Sequence, residues 1–201
     1  MRIIGICGSS GCGKSSVCRA FREFGAAWLD CDAIYHELVS GDSPCLRHLQ
    51  SEFGDAVIQN GALNRKAMRE IVFRDKNKLQ QLNAITHHYV LIRLKELIEA
   101  ERRSGRLVCL IDAPMFFEAN LQSWCDLVIA VICEESVQLK RVCERDQISS
   151  EQAKDRLRNQ FSNEVLRERA HYIIENNGTE EELFKVCEKI YHKIILKGVS
   201  L

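Results

Sequence analysis

A glycine-rich motif that follows a short apolar segment constrains the fold of this chain more than any other feature. Residues 8–15 read Gly-Ser-Ser-Gly-Cys-Gly-Lys-Ser and fit the pattern G-x-x-x-x-G-K-[S/T]. The apolar residues 3–7 before it are typical of a buried strand, and residues 16–21 after it have the apolar spacing of a helix. A strand, a glycine-rich loop and a helix in this order predict a phosphate-binding loop rather than a turn that binds nothing.

The residue types of this loop suit the phosphates of a nucleoside triphosphate. Glycines let the backbone curl until several N–H groups converge on phosphate oxygens at the positive end of the following helix. Lys14 supplies a mobile charge for the β- and γ-phosphates, and the Ser15 hydroxyl can hold Mg²⁺. The sequence therefore predicts a site for ATP and Mg²⁺. The predicted contacts are Gly8, Gly11, Cys12, Gly13, Lys14, Ser15 and Ser16.

Composition favours one α/β domain that binds neither nucleic acid nor a membrane. The chain has 201 residues, enough for a sizeable core, and its 28 basic and 28 acidic side chains cancel. The longest apolar run, residues 127–133, is too short to span a bilayer, and the first strand leaves no room for a targeting peptide. We therefore expect a cytoplasmic protein that is a monomer, with an oligomer left open.

The ten cysteines are expected to be reduced, and most of them to be small core residues. The closest two, Cys7 and Cys12, are five residues apart, so the chain contains no C-x-x-C redox or zinc pair. Cys12 differs because it lies in the phosphate loop beside a lysine and a helix N-terminus, where the pKa of a thiol falls. We expect its oxidation or alkylation to block nucleotide binding.

Strands and helices are predicted to alternate along the chain. The patterns indicate strands at 2–7, 26–30, 107–111, 126–132 and 171–175. They indicate helices at 15–24, 117–122, 135–145, 150–160, 163–169 and 180–196, with capping boxes at 149–152 and 179–182. The expected fold class is α/β, with a five-stranded parallel sheet between two layers of helices and ligands at the carboxyl ends of the strands.

Two segments do not fit this alternation. Residues 32–104 contain no convincing strand and are predicted to form a helical insertion. Residues 140–168 are rich in lysine and arginine. Such a segment is either a solvated helix face or a lid, because phosphoryl transfer requires cations and the exclusion of water.

Aspartates follow two of the predicted strands. Asp30 and Asp32 end the second strand, where alternation suggests that they share an orientation. Asp32 could orient or deprotonate an acceptor hydroxyl, or it could cap the helix that starts at residue 33. Asp112 follows the third strand and could help to hold Mg²⁺ through water, or it could be a turn residue before Pro114.

Several motifs in a fixed order resemble those of the dephospho-coenzyme A kinase family, over essentially the whole chain. They are the phosphate loop, Asp30-Cys31-Asp32, residues 64–69, 82–87, 112–118 and 138–146, Gln160, and residues 175–178. The resemblance implies a P-loop kinase fold with three regions. The nucleotide-binding core would be 1–31 with 105–139 and 170–201, the helical substrate-binding region 32–104, and the lid 140–169.

The resemblance also implies a function, the ATP-dependent phosphorylation of the ribose 3′-hydroxyl of dephospho-coenzyme A. Lys14, Asp32 and Arg141 would be catalytic, with Asp32 orienting or deprotonating that hydroxyl. Arg145 would join Arg141 in neutralising charge on the transferred phosphoryl group. Asn176, Asn177 and Gly178 would lie near the adenine, and Asp32, Arg65, Arg69, His87 and Pro114 would bind the substrate.

The chain departs from the family pattern at His88, where proline is usual, at His171, where aspartate is usual, and at Met115-Phe116, where two leucines are usual. His88 and His171 are expected to be packing or surface residues. A rival interpretation is another small-molecule P-loop kinase. A GTP-dependent switch would need D-x-x-G and N-K-x-D elements, which the sequence does not contain. A binding-only protein is disfavoured because Lys14, Ser15, Asp32 and Arg141 are all present.

Overall fold

The first apolar segment forms the central strand of a parallel sheet. The structure is a computed structural model that describes residues 1–197. The strands are β1 (Arg2–Cys7), β2 (Ala27–Asp30), β3 (Ile58–Gln59), β4 (Ala62–Leu63), β5 (Val108–Asp112), β6 (Leu127–Ile132) and β7 (Tyr172–Glu175). The α-helices are α1 (Lys14–Glu23), α2 (Cys31–Leu38), α3 (Pro44–Phe53), α4 (Arg65–Arg74), α5 (Lys76–Arg103), α6 (Glu135–Asp146), α7 (Ser150–Arg158), α8 (Asn163–Arg169) and α9 (Glu180–Lys197).

Within residues 1–197, five strands form the main sheet in the order β2-β5-β1-β6-β7, as predicted. Ile4 of β1 pairs with Leu110 of β5 on one side and with Leu127 of β6 on the other. Because all these strands run in the same direction, their carboxyl ends meet at one edge. The phosphate loop leaves β1 at that edge, Asp112 ends β5 there, and Asn176 follows β7.

Helices α1 and α9 pack together against the main sheet and complete its core. Phe21 of α1 is fully buried, and its ring meets that of Tyr191 of α9 edge to face, with 5.8 Å between centroids. Burying a side chain such as Phe21 stabilises the fold by roughly 1.5–3 kcal/mol relative to leaving it exposed. Among the described residues, no helix is long and apolar enough to cross a membrane.

The described chain divides into two compact units. The first contains residues 1–28 and the chain from Glu101 onward, and the second is Leu29–Ala100. The second unit contains α2 to α5 and has its own buried core. That core consists of Val39, Cys45, Leu46, Leu49, Val57, Leu63, Met68 and Ile85.

Two expectations about secondary structure were wrong. The insertion is not free of strands, because β3 and β4 pair as a hairpin whose turn, Asn60-Gly61, has positive φ angles of 52° and 72°. The helix expected at 117–122 is instead a series of turns followed by a short 3₁₀ helix, Leu121–Trp124. Asn120 adopts the left-handed conformation and separates the two, so regular helix cannot continue through it.

Candidate active site

The phosphate loop is tightly packed on the edge of the main sheet. Gly13 begins α1 from the left-handed region, with φ of 92°, and a Cβ atom at this position would overlap the side-chain amide of Asn176. Gly8, with φ of 152°, lies against the carbonyl oxygen of Val131 in the same way. A larger residue at either position would therefore displace the loop backbone, so these two glycines are required by geometry.

Lys14 lies across the loop. Its Nζ donates a hydrogen bond of 2.7 Å to the carbonyl oxygen of Gly8. Ser15 is exposed in the first turn of α1, and the hydroxyl oxygen of Ser16 accepts a hydrogen bond from Arg19. The ammonium group is therefore held over the concave side of the loop, where an incoming phosphate would replace the carbonyl as its partner.

The residues after β7 support the phosphate loop through hydrogen bonds. The Asn176 side-chain amide donates to the carbonyl oxygen of Cys12 at 2.9 Å, and Arg141 of α6 donates to the backbone carbonyl of Asn176 at 2.9 Å. Asn177 accepts a hydrogen bond from the Glu134 N–H through its side-chain oxygen. A cavity of about 300 Å³ lies beside them. Its lining includes Gly13, Ser16, Arg19, Arg141, Asn176 and Gly178.

Two glutamines, one in the predicted lid segment and one just before it, contact the loop. Gln160 accepts a hydrogen bond from the Ser10 N–H at 2.7 Å and donates one to the Ser10 hydroxyl at 3.2 Å. Gln138 of α6 donates to the carbonyl oxygen of Ser10 at 2.8 Å. No role was predicted for either glutamine, because a glutamine on a charged helical segment looks like a solvated residue until its partner is known.

A second cavity, of about 330 Å³, lies on the other side of the loop and contains Lys14 and Pro114 in its wall. Phe117 and Phe161 also line it, with their ring centroids 5.6 Å apart and their planes nearly perpendicular. The Arg169 guanidinium lies 5.2 Å from the Phe117 ring and 4.8 Å from the Phe161 ring. These cation–π contacts connect the turn after β5 with the segment around α8.

Asp112 is buried where β5 ends, and one of its carboxylate oxygens lies 3.8 Å from the Cys18 sulfur. Cys18 is one helical turn after Ser15 on α1, so Asp112 contacts α1 one turn from Ser15. A carboxylate and a hydroxyl are both oxygen ligands that suit Mg²⁺.

Arg145 lies at the end of α6 and is paired with its neighbour. Its guanidinium donates two hydrogen bonds to Asp146, at 2.8 and 2.9 Å, and these hold the pKa of that carboxyl below its usual range. Asp146 also accepts a hydrogen bond of 2.6 Å from Arg156 of α7. An anion bound by Arg145 would therefore compete with Asp146.

In the second unit, Asp32 lies in the first turn of α2 and is exposed. The strand ends at Asp30, as predicted, but the shared orientation expected for Asp30 and Asp32 from strand alternation is wrong, because α2 begins at Cys31. The alternative that Asp32 caps the helix is also wrong. Asp30 is the N-cap, and its carboxylate accepts hydrogen bonds from the N–H groups of Asp32 and Ala33.

Three of the residues predicted to bind substrate lie on helices of the same unit. Arg65 and Arg69 are exposed one turn apart on α4, and the half-buried His87 is on α5. The Arg65 guanidinium is within hydrogen-bonding distance of His36, which lies one turn after Asp32 on α2. Arg65 and Asp32 are therefore brought to one region of the unit, with His36 between them, a residue that the sequence did not indicate.

The structure changes the expectation for Cys12. A hydrogen bond from the Cys133 thiol and the nearby charge of Lys14 lower the pKa of the Cys12 thiol, although burial opposes this. Cys12 is nonetheless fully buried, so the expected reaction with alkylating reagents is disfavoured.

Comparison with known proteins agrees with this geometry. A family model described as Dephospho-CoA kinase matches residues 2–182. A dephospho-CoA kinase from Thermobifida fusca is 41% identical over 192 residues, which is 95% of this chain and 95% of that protein. The chain belongs to the dephospho-CoA kinase family. A crystal structure of dephospho-CoA kinase from Campylobacter jejuni has a TM-score of 0.72 and 25% identity, covering 98% of each chain. The crystal structure of TT1252 from Thermus thermophilus has a TM-score of 0.78 and 29% identity, covering 96% of this chain and 97% of that one.

The three departures from the pattern of dephospho-CoA kinases have structural explanations. His171 is exposed and its Nδ1 accepts a hydrogen bond from the Val128 N–H at 3.1 Å, a role that a carboxylate oxygen could also fill. His88 lies inside the long helix α5. Unlike proline, histidine has a backbone N–H that can donate a helical hydrogen bond, so the helix continues through this position. Phe116 is buried over Gly5, where only a glycine leaves room for its ring.

Proposed function

We propose that this protein transfers the γ-phosphoryl group of ATP to the ribose 3′-hydroxyl of dephospho-coenzyme A, giving coenzyme A and ADP. The observation that supports this most directly is the phosphate loop with Lys14 laid across it and Arg141 against its base, in a chain of the dephospho-CoA kinase family. Phosphoryl transfer needs little covalent chemistry from the protein, and positioning and charge stabilisation supply most of the catalysis.

On the nucleotide side, the loop N–H groups and Lys14 would hold the β- and γ-phosphates. Arg141 and Arg145 would neutralise the charge that spreads over the transferred group, Arg145 by exchanging Asp146 for phosphate oxygens. Asn177 and Gly178 would lie near the adenine. Asn176 would position the loop rather than contact the adenine, since its side-chain amide donates to the Cys12 carbonyl.

On the acceptor side, Asp32 would orient the 3′-hydroxyl and accept its proton as the new phosphate ester bond forms. Its carboxylate is not needed as the helix cap, since Asp30 fills that role. Arg65, Arg69 and His87 would bind anionic and polar groups of dephospho-coenzyme A, and Pro114 would form part of the pocket wall. The core, substrate-binding and lid regions would have the boundaries predicted from the sequence.

Mg²⁺ would be held by Ser15 and, through water, by Asp112. Asp112 contacts Cys18, one turn after Ser15 on α1, and the described residues contain no cluster of three metal-binding side chains. This fits Mg²⁺, which in kinases takes one or two protein oxygens together with substrate phosphates and waters. When bound, Mg²⁺ would offset negative charge on the phosphates.

We also propose that the protein acts in the cytoplasm and as a monomer. All ten cysteines lie in the described part of the chain as free thiols, which fits a reducing compartment. Size-exclusion chromatography with light scattering would test the oligomeric state.

One assay tests the proposed function. The protein is incubated with ATP, Mg²⁺ and dephospho-coenzyme A, and coenzyme A is detected by mass. Adenosine and shikimate, offered in parallel, test for another small-molecule kinase. Phosphorylation of either control, with none of dephospho-coenzyme A, would contradict the proposal.

Arg141→Ala is expected to lower kcat by about 10²-fold or more and to change the Kd for ATP much less. The reason is that a guanidinium aimed at the transferred phosphoryl group acts mainly in the transition state. Steady-state kinetics and nucleotide titration separate the two effects. A loss confined to ATP affinity would reduce Arg141 to a binding residue.

Gln160→Ala is expected to raise the KM for ATP and to lower kcat by about 10-fold, because it removes both contacts with Ser10 and lets the loop move by a fraction of an ångström. The neighbouring control is Asn159→Ala, because the Asn159 side chain donates to the Asp155 carbonyl rather than to the loop. Equal effects of the two variants would assign the loss to the lid backbone rather than to the Gln160 amide.

A further inference from the structure

Two thiols meet behind the phosphate loop. The Cys133 Sγ, just after β6, donates a hydrogen bond to the Cys12 Sγ at 3.4 Å. Both side chains are buried: Cys12 is fully buried, and Cys133 is 3% exposed. Hydrogen peroxide is not much larger than water, and Gly13, next to Cys12, lines the cavity of about 300 Å³ beside the loop.

We propose that Cys12 and Cys133 form a reversible disulfide when the protein meets hydrogen peroxide, and that this bond inactivates the phosphate loop. The site was not expected from spacing, since the two cysteines are 121 residues apart in sequence. The inactivation, though not the disulfide itself, rests on the proposed kinase function.

The chemistry balances with peroxide as the oxidant. The Cys12 thiolate attacks one peroxide oxygen, and the O–O bond breaks. Hydroxide is the leaving group, and Cys12 becomes a sulfenic acid. The Cys133 sulfur then attacks the Cys12 sulfur, an S–S bond forms, and the S–O bond breaks to release water once protonated. Two thiols lose two electrons and two protons, and one peroxide becomes two waters.

Cys12 is the sulfur that attacks first. The Cys133 S–H and the Lys14 charge favour its thiolate, whereas donating that same hydrogen bond raises the pKa of Cys133 well above its usual value. Thiolate character decides which of two neighbouring cysteines reacts with peroxide.

The bond would disturb the loop because Cys12 has little room to move. A disulfide needs the sulfurs about 2.05 Å apart, so the pair must close by roughly 1.4 Å. Cys12 lies between Gly11 and Gly13, which both pack tightly against neighbouring residues, and its carbonyl is held by Asn176. The amides that bind phosphate would move with it, and a displacement of about 1 Å can cost 10²-fold in rate.

The test is to treat the whole protein with hydrogen peroxide and map it without reduction. Cleavage by trypsin and at aspartate isolates Cys133 in residues 126–140 as the only cysteine of that peptide. Fragmentation of the linked product should place the bond on Cys12 rather than on Cys7, which shares its peptide. Activity should fall at least 10-fold and return with dithiothreitol. A link to Cys7, or no link, would overturn the proposal.

Variants test the inactivation independently. Cys133→Ala should keep its basal activity and resist peroxide, because it removes both the disulfide partner and the S–H that favours the Cys12 thiolate. Cys133→Ser, the second variant, keeps a donor to Cys12 and should yield no linked peptide. Cys143→Ser is the matched control, because Cys143 is more exposed and lies on α6; it should remain sensitive. Equal sensitivity of Cys133→Ala and wild type would refute the disulfide as the cause. If no activity is found at all, the linked peptide still decides whether the pair forms.

Discussion

Lys14→Ala should lower kcat/KM by about 10³-fold or more without unfolding the protein. The Lys14 ammonium lies across the loop on the Gly8 carbonyl, and in the proposed reaction it would transfer to the β- and γ-phosphates. Charge placed where negative charge develops in a water-poor site commonly contributes several kcal/mol to lowering the barrier, and one lost donor costs about 10²–10³-fold. Initial-rate kinetics with varied ATP would measure the effect.

The matched control for this prediction is Lys185→Ala. Lys185 is exposed on α9 and pairs with Glu181 one turn before it, an ion pair worth less than about 1 kcal/mol. The Lys185→Ala substitution should leave kcat/KM unchanged. Near-normal turnover of Lys14→Ala, with thermal unfolding matching wild type, would mean that the loop binds phosphate through its amides alone.

Asp32→Asn should lower kcat by about 10²–10⁴-fold, because an amide can still orient a hydroxyl but cannot accept its proton. The substitution keeps the shape of the side chain, and Asp32 is exposed in the first turn of α2, so the fold should persist. The pH dependence of kcat should lose its acidic limb if the carboxylate acts as a base. Single-turnover kinetics would show whether the chemical step itself is slowed.

Asp30→Asn is the control two residues away. Asparagine caps helices about as well as aspartate, so both stability and turnover should change little. Asp30→Ala should instead cost about 1 kcal/mol in unfolding free energy and spare the chemistry. If Asp32→Asn turns over normally, or if Asp30→Asn is the impaired variant, the proposed base is the wrong carboxylate.

The main sheet and the loop could be predicted because their signals are local. A continuous apolar run such as residues 3–7 favours a buried strand, and the glycines that follow favour a loop. The hairpin was missed although Asn60-Gly61 is a strong turn signal, because its strands are two residues long and show no alternation.

The candidate site was harder to predict where partners are distant in sequence. Two carboxylates two residues apart were both candidates for the cap of α2, and only backbone geometry distinguishes Asp30 from Asp32. Gln160 meets Ser10 across 150 residues, and Cys133 meets Cys12 across 121. Such pairings depend on which strands lie side by side and on how the chain after α7 packs on the loop, which no local pattern specifies.

The packing of α9 on α1 also bears on where this family's catalytic module ends. The family model stops at residue 182, but α9 continues for four further turns, and its Cys187, Tyr191 and Ile194 are buried in the core of the first unit. A recombinant fragment cut at residue 182 would strip one wall from the hydrophobic interior and expose the ring of Phe21. The part of α9 beyond the family model is thus structural rather than an appendage, and substitutions there should be tolerated only as far as its buried stripe remains apolar.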